Sequence, residues 1–191
     1  KPLWVRCNRS RAAAEQTAAS LACQQVKAAP LQGMDCMLAL SQVDRLESLE
    51  AFQEGLIQVQ DPSSALVGEL AAPKKGDYVI DVCAAPGGKS LHLADRLCGT
   101  GMVEARDLTP RKISLLEENI ARCRLENVRA VLQDALAYDP ASRERADILL
   151  ADLPCSGLGI MGRKPDIKLH ADPETERELA ALQREILSVV W

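Results

Sequence analysis

Residues 78–90 read YVIDVCAAPGGKS, an apolar run that breaks into a glycine-rich loop ending in Lys89 and Ser90. This pattern predicts a buried strand, a tight loop and the start of a helix. Glycine has no Cβ, so the backbone of such a loop can approach a ligand closely. The ligand is either the phosphates of a nucleotide, as the Lys-Ser ending indicates, or another group that lies across the end of the strand.

The phosphate-loop interpretation fits this stretch poorly. That motif, G-x-x-x-x-G-K-[ST], needs a glycine five positions before the second one, so that backbone amides can surround a phosphate. Counting back five positions from Gly88 leads to Cys83, and Pro86 removes one amide donor. The apolar stretch ending at Asp152 imitates the magnesium-binding strand of such enzymes, which keeps a P-loop-like nucleotide-binding protein as the alternative.

Strand and helix patterns alternate around this loop. They predict, in chain order, a strand at 78–83, a helix at 89–97, a strand at 101–107, a helix at 110–126, and strands at 128–134 and 146–154. The alternation predicts parallel strands with right-handed crossovers, hence an open, doubly wound α/β sheet. Such sheets bind ligands at the carboxyl ends of their strands.

Acidic residues follow three of these strands, at Asp107, Asp134 and Asp152. A single Asp after a strand is commonly a helix cap or a turn residue, but three at one edge beside a glycine loop indicate a ligand site. Asp107 lies 20 residues beyond Gly87, the distance at which an acid reaches ribose hydroxyls. The G-x-G-x-x-G spacing of nicotinamide binders is absent, which favours an adenosyl cofactor such as S-adenosylmethionine.

A cysteine follows the last of these strands, in ADLPCSGLG at residues 151–159. Pro154 makes the turn rigid, and Gly157 and Gly159 let the chain pass close to a ligand. A thiolate at Cys155 could add to carbon six of cytosine and so make carbon five nucleophilic towards a methyl donor. The structural alternative, that Cys155 only fills space in the core, is less favoured in this loop.

A cluster of cations comes directly after this turn: Arg163, Lys164 and Lys168. The chain as a whole has a net charge of −4, which taken alone disfavours a nucleic-acid partner, so this local positive patch carries the RNA-binding prediction. Arg111 opens the predicted second helix at the same edge of the sheet. A cation there opposes the helix dipole, which indicates a role in ligand binding.

The composition excludes several classes of protein. With 47% hydrophobic residues the chain can bury a core, and it contains neither a membrane-length apolar run nor a leader segment, so we expect a cytoplasmic protein. Seven cysteines without a CxxC pair indicate reduced thiols. We expect no metal site, because His92, His170 and the scattered cysteines show no ligand spacing.

The patterns divide the chain into two units. Residues 1–60 predict a small α+β unit that includes a helix over residues 11–27 and another over residues 45–55. Residues 61–191 hold the α/β unit, which opens with Asp61 as a helix cap before Pro62.

With these motifs, the chain resembles the Sun (Fmu, RsmB-type) RNA cytosine-C5 methyltransferases, most closely the bacterial enzymes that act on 16S ribosomal RNA. The resemblance rests on four motifs in the family's order, VQDPSSAL, DVCAAPGGKS, DLPCSGLG and RKPDIK, and extends from Leu3 to Trp191. It implies a Rossmann-like methyltransferase core with a small RNA-recognition-like subdomain at residues 1–60. It also implies that the enzyme swings its target base out of the stack.

The resemblance also implies roles for single residues. Asp107 would contact the ribose of S-adenosylmethionine, Asp134 its adenine, and Asp152 the region near its methionine amine. The loop that would contact the cofactor comprises Cys83, Ala84, Ala85, Pro86, Gly87, Gly88 and Lys89.

Two departures from the family pattern matter. Leu153 stands where the family usually has Ala, a change that should leave the turn intact. The family's attacking cysteine lies in a Thr-Cys motif after a fifth strand, and this sequence ends at Trp191 without that motif. We therefore expect a core truncated at its C-terminus, in which the fourth strand is an open edge. Cys155 either attacks or assists product release, and a catalytically silent RNA-binding module is the second alternative.

Overall fold

The computed structural model describes residues 2–160 and 172–191, so the predicted RNA-binding residues Arg163, Lys164 and Lys168 lie outside the described residues. The strands are β1 (Leu3–Cys7), β2 (Lys27–Leu31), β3 (Met34–Ser41), β4 (Ile57–Val59), β5 (Tyr78–Asp81), β6 (Met102–Asp107), β7 (Val128–Leu132) and β8 (Ile148–Leu150). The helices are α1 (Ala14–Cys23), α2 (Glu50–Gln53), α3 (Pro62–Ala71), α4 (Gly88–Arg96), α5 (Pro110–Cys123) and α6 (Pro173–Val190). Short 3-10 helices are described at Leu46–Ser48, Pro140–Ser142 and Leu158–Ile160.

The strands form two separate sheets. The first has the order β2-β3-β1-β4 and is antiparallel in every pair, and we call residues 2–60, which contain it, the N-terminal unit. The second has the order β7-β6-β5-β8 and is parallel in every pair, as the alternation of strands and helices predicted. The division at residues 60 and 61 stays a prediction, located between the end of β4 and the start of α3.

The order of the second sheet places its topological switch point between β5 and β8. The chain winds from β5 outward to β6 and β7, and then returns to the other side of β5 with β8. At such a point the loops after the two central strands diverge, and ligands bind in the crevice between them. In the described part of the chain β8 is an edge strand, as expected.

Helix boundaries follow the capping residues that the sequence offers. Thr109 is the N-cap of α5 and accepts a hydrogen bond from the backbone of Lys112, while Pro110 occupies the first helical position. Asp61 is the N-cap of α3, as predicted, although its side chain makes no capping hydrogen bond. The cap at Thr109 sets where the connection from β6 enters α5, and the cap at Asp61 sets where the connection from β4 enters α3.

The N-terminal unit differs from its sequence-based prediction at two places. The helix predicted over residues 11–27 ends at Cys23, and Lys27–Leu31 form an additional edge strand, β2. Its sequence KAAPL contains a proline, which is tolerated at an edge, and lacks β-branched residues, so nothing marked it as a strand. The helix predicted over residues 45–55 is a 3-10 turn followed by the four-residue α2.

A buried ion pair joins the N-terminal unit to the core. Arg6 on β1 is fully buried, and its Nη1 lies 3.2 Å from Asp95 Oδ2 on α4. Asp95 also accepts hydrogen bonds from the backbone N–H groups of Arg9 and Ser10, at 3.0 and 2.8 Å. One carboxylate on α4 therefore holds the end of β1 and the chain that follows it.

Within residues 2–160 and 172–191, no helix combines the length and apolar character that a membrane crossing requires.

Candidate active site

The glycine-rich loop connects β5 to α4 at the carboxyl edge of the parallel sheet. The Ala85–Pro86 bond is cis, and Gly87 has a φ of +102°, a conformation that side-chain-bearing residues rarely adopt. A Cβ at Gly87 would lie 3.0 Å from Cδ2 of Leu116 on α5. The turn therefore requires glycine for its backbone conformation, and a Cβ there would also push against the end of the Leu116 side chain.

Asp107 is the last residue of β6, and its carboxylate lies against this loop. Oδ2 accepts a hydrogen bond from the N–H of Ala85 at 2.9 Å, and Oδ1 accepts from the N–H of Leu108 and from Nζ of Lys112, both at 2.8 Å. The side chain is almost fully buried, whereas Lys112 is half exposed. The structure thus brings Asp107 to the loop, as the spacing from Gly87 predicted, while its contact with a ribose stays a prediction.

Lys89 and Asp152 meet across the switch point. Nζ of Lys89 lies 2.5 Å from Oδ2 of Asp152, so the end of the glycine-rich loop contacts the chain that leaves β8. Cys155 follows three residues after Asp152, and its thiol is free and exposed. The turn that carries Cys155 is held from a second side, because Nε2 of Gln183 on α6 donates to the carbonyl of Pro154 at 2.7 Å.

Asp134 and Arg111 lie at the same edge of the sheet. Among the described residues, neither side chain is recorded in a hydrogen bond with the glycine-rich loop. Asp134 is exposed, and its Oδ1 accepts a hydrogen bond from the N–H of Leu136 at 2.9 Å, which is a turn contact. It is connected to Asp107 through the backbone, because the N–H of Gln133 donates to the carbonyl of Asp107 at 3.0 Å. Arg111 is exposed on the first turn of α5.

A cavity of about 560 Å³ lies beside Asp134. Its walls include Arg106 on β6, Leu149 on β8, and Val190 and Trp191 at the end of α6. Neither the loop residues 83–89 nor Cys155 line it. At the glycine-rich loop, the polar side chains of Lys89, Asp107 and Asp152 are all engaged in ion pairs or hydrogen bonds.

Asp81, which was not among the predicted site residues, precedes the glycine-rich loop and contacts the start of α4. It ends β5, is 1% exposed, and its Oδ2 accepts a hydrogen bond from Oγ of Ser90 at 2.6 Å. Its Oδ1 is buried without a hydrogen-bond partner among the described residues. Burial raises the pKa of the Asp81 carboxyl to about 6. The available signal was an acidic residue within an otherwise apolar strand. Because the strand was predicted to end at Cys83, Asp81 was not placed at the strand end beside the loop.

The bond between Ser90 and Asp81 also bears on the phosphate-loop alternative. In a phosphate loop, the hydroxyl that follows the lysine binds magnesium. Here Ser90 is fully buried and its hydroxyl is engaged by Asp81, while Lys89 is paired with Asp152. The geometry of the two residues that suggested a phosphate loop therefore disfavours it.

Cys83 lies in the loop as a neutral thiol. Burial, followed by the nearby Asp107 carboxylate, raises its pKa to about 11. No disulfide is recorded among the cysteines at positions 7, 23, 36, 83, 98, 123 and 155, which are all free thiols. Cys83 can thus contact a ligand through its sulfur or its backbone but does not supply a nucleophile near neutral pH.

One group of potential metal ligands appears among the described residues, although the spacing in the sequence showed none. Cys36 on β3, Glu69 on α3 and His92 on α4 bring their ligand atoms within 4.8 Å of one another. Both oxygens of Glu69 are already engaged, Oε1 with Nε2 of His92 and Oε2 with Nη1 of Arg96. The arrangement is therefore a hydrogen-bonded network in which a neighbouring guanidinium balances the carboxylate.

Comparison with known proteins identifies the family. A "Probable ribosomal RNA small subunit methyltransferase B" of Bacillus subtilis is 41% identical over 137 residues, which are 71% of this chain and 31% of that protein. "Ribosomal RNA small subunit methyltransferase B" of Pasteurella multocida is 33% identical over 196 aligned positions, covering 100% of this chain and 43% of that protein. The chain thus spans less than half the length of these curated relatives.

A solved structure, the crystal structure of PH0851, superposes on 98% of this chain and 42% of its own, with a TM-score of 0.93 and 29% sequence identity. This similarity confirms the Rossmann-like fold class. The family model "16S rRNA methyltransferase RsmB/F" matches residues 69–191. Since that match covers well over half of the chain, the chain belongs to the RsmB/F family of 16S rRNA methyltransferases.

Proposed function

We propose that this chain is the catalytic core of an S-adenosylmethionine-dependent methyltransferase that acts on carbon five of cytosine in 16S ribosomal RNA. The observation that carries the proposal is the meeting of three groups at the switch point of the parallel sheet. These groups are the loop at Gly87, the Asp107 carboxylate bonded to that loop, and the ion pair between Lys89 and Asp152. Cys155 lies three residues beyond this pair.

The groups present fit an adenosyl cofactor. Helix α4 begins without a side-chain cap, and the first N–H groups of a helix have no intrahelical acceptor. These N–H groups are therefore suited to bind the carboxylate of the cofactor's methionine part. Asp107 presents its carboxylate at the end of β6, where it would hold ribose hydroxyls. Asp134 and Asp152 would hold the adenine and the region of the methionine amine, and the remaining contacts would come from the loop at residues 83–89.

The cofactor would supply a methyl group on a positively charged sulfur, which leaves as a neutral thioether. Carbon five of cytosine becomes a nucleophile when a thiolate adds to carbon six, and loss of the carbon-five proton with departure of the thiolate restores the base. Cys155 is exposed on a turn held by Pro154 and Gln183, so its thiol is accessible to a base brought to this edge. We propose that it acts in this addition and elimination sequence, either as the attacking thiolate or in product release.

The RNA partner would be held by local cations rather than by the overall charge, which is −4. Arg111 is exposed on the first turn of α5, at the edge that carries the other groups. Arg163, Lys164 and Lys168 follow the Cys155 turn in the sequence and would extend this surface.

Calorimetric titration of the 191-residue chain with S-adenosylmethionine tests the cofactor site. We expect binding, and we expect Asp107→Asn to raise the dissociation constant roughly ten- to hundredfold, because a charge-assisted hydrogen bond is worth roughly 1.5–3 kcal/mol. Asp147→Asn is the matched control, since Asp147 bonds the N–H of Tyr78 at the opposite, amino edge of β5. The reverse outcome, with ATP and magnesium binding but no S-adenosylmethionine binding at millimolar concentration, would support the phosphate-loop alternative.

Methyl transfer itself is measured with a protein that contains this chain together with a downstream Thr-Cys motif. We expect tritium from labelled S-adenosylmethionine to appear at carbon five of cytidine in a 16S ribosomal RNA fragment. Cys155→Ser is expected to abolish turnover or to trap the enzyme on its RNA, and the two results distinguish attack from product release. RNA binding without transfer would support the silent RNA-binding module.

A further inference from the structure

Helix α5 contacts the N-terminal unit through Arg122, close to its carboxyl end. Nη1 of Arg122 donates to the carbonyls of Phe52 and Ile57, at 2.9 and 3.2 Å, and Nη2 donates to Oε1 of Gln58. The guanidinium carbon also lies 4.0 Å from the centre of the Phe52 ring. Because a guanidinium is planar and rigid, this set of partners fixes its orientation.

The same end of α5 is in close backbone contact with the N-terminal unit. A Cβ at Gly55 would lie 2.1 Å from the carbonyl oxygen of Arg122 and 2.6 Å from Cα of Cys123. Only a residue without a side chain permits this approach. Residues 52–58 therefore pack directly against the last turn of α5. Because this contact is close-packed, a displacement of residues 52–58 is transmitted to α5, and a displacement of α5 is transmitted to residues 52–58.

Asn119, one turn earlier on α5, connects Arg122 to the glycine-rich loop. Its Nδ2 donates to the carbonyls of Pro86 and Leu115, both at 3.1 Å, and its Oδ1 accepts from Nη2 of Arg122 at 3.2 Å. The orientation of the amide follows from these partners, since carbonyls only accept and a guanidinium only donates. A single side chain thus joins the loop at Pro86 to the guanidinium that holds residues 52–58.

We propose that Asn119 is a positioning residue for the loop at residues 83–89, and that Asn119 and Arg122 together couple this loop to the N-terminal unit. The hydrogen-bonded chain runs from the acceptors at residues 52–58 through Arg122 and Asn119 to the carbonyl of Pro86. A ligand of the N-terminal unit that binds better when this chain is intact should raise the affinity of the loop for its own ligand, and by linkage the loop's ligand should raise the affinity of the N-terminal unit by the same factor.

Hydrogen–deuterium exchange on the ligand-free chain tests the positioning role. Asn119→Asp keeps an oxygen for Arg122 but removes the donor to Pro86, so we expect exchange of the loop amides at residues 83–89 to rise about two- to tenfold, the effect of one net hydrogen bond. Exchange at residues 52–58 should stay unchanged. Glu118→Gln, at the exposed neighbouring position, is the matched control. Unchanged loop exchange in Asn119→Asp would overturn the positioning role.

The coupling is tested from the other end with Arg122→Lys and Arg122→Met, two variants that differ in how much packing they remove. We expect faster exchange at residues 52–58 and also at residues 83–89, although Arg122 makes no recorded hydrogen bond to the loop in the described structure. In the background of Asn119→Ala, the effect of either variant on the loop should disappear. Faster exchange confined to residues 52–58 would overturn the coupling.

The consequence for the cofactor rests on the proposed function. Asn119→Asp is expected to raise the dissociation constant of S-adenosylmethionine about two- to tenfold. If exchange responds as expected but the wild-type chain does not bind S-adenosylmethionine, the proposed function fails and the coupling stands. If S-adenosylmethionine binds and exchange does not respond, the coupling fails alone.

Discussion

The buried carboxyl of Asp81 allows a quantitative prediction of how stability depends on pH. Burial raises its pKa from 3.8 to about 6 in the folded chain. The folded state therefore binds a proton more tightly than the unfolded state does. The contribution of the Asp81 carboxyl to the free energy of unfolding is fully present below about pH 4 and is lost as the pH rises through 6. A difference of about two pKa units corresponds to roughly 3 kcal/mol.

Asp81→Asn removes this titration while keeping an oxygen that can accept the Ser90 hydroxyl. The free energy of unfolding of the variant, relative to wild type, should therefore increase by roughly 2.5 kcal/mol between pH 4 and pH 7, because the unfolded carboxyl is already partly ionised at pH 4. A constant offset is expected as well, because the amide nitrogen takes the place of the partnerless Oδ1. Only the change with pH tests the reasoning.

The assay is urea unfolding at pH 4, 5, 6 and 7 for both proteins. The wild-type profile alone is not diagnostic, because burial, together with Arg6 and Arg96, lowers the pKa of His92 to about 2. His92 thereby makes the chain less stable as the pH falls below 6.5, which opposes the effect of Asp81. Taking the difference between variant and wild type removes that contribution.

A surface variant, Asp44→Asn, serves as the control and should change the free energy of unfolding by less than about 0.5 kcal/mol at each pH. If the curves of wild type and Asp81→Asn are parallel from pH 4 to pH 7, then the Asp81 carboxyl does not titrate near 6 in the folded chain. The account of this buried group would then be wrong.

Two further variants test how the N-terminal unit and the helices pack, with urea unfolding as the measurement for both. Gly68→Ala would place a Cβ 2.3 Å from Nδ1 of the buried His92. We expect this overpacking to lower the free energy of unfolding by about 1–3 kcal/mol. A stabilised variant would contradict the close contact. Arg6→Met leaves the Asp95 carboxylate buried without its guanidinium, and we expect the free energy of unfolding to fall by about 3–5 kcal/mol. Part of this loss should be recovered in the double variant with Asp95→Asn. Additive losses would show that the two charges do not interact.

The parallel sheet and its loops were predictable because their signals are local. The apolar run that begins at Tyr78, the glycines that follow it and the capping sequence at Asp61 each specify their own conformation. Strand β2 was not predictable, because KAAPL has no strand pattern and is ordered by pairing with β3. The short α2 was predicted as part of a longer helix, because a helical pattern alone does not show where tertiary packing ends a helix.

The sequence by itself determined the parallel α/β class, the glycine-rich loop and the presence of acids after three strands, since these follow from periodicity and from residue chemistry within short segments. Only the tertiary structure decided that Asp81 is buried beneath Ser90, that Lys89 pairs with Asp152, and that Asn119 joins the loop at Pro86 to Arg122. These contacts join residues that are 3 to 63 positions apart. Their geometry depends on the order of strands in the sheet and on how α5 packs against it, and neither is written in any single segment.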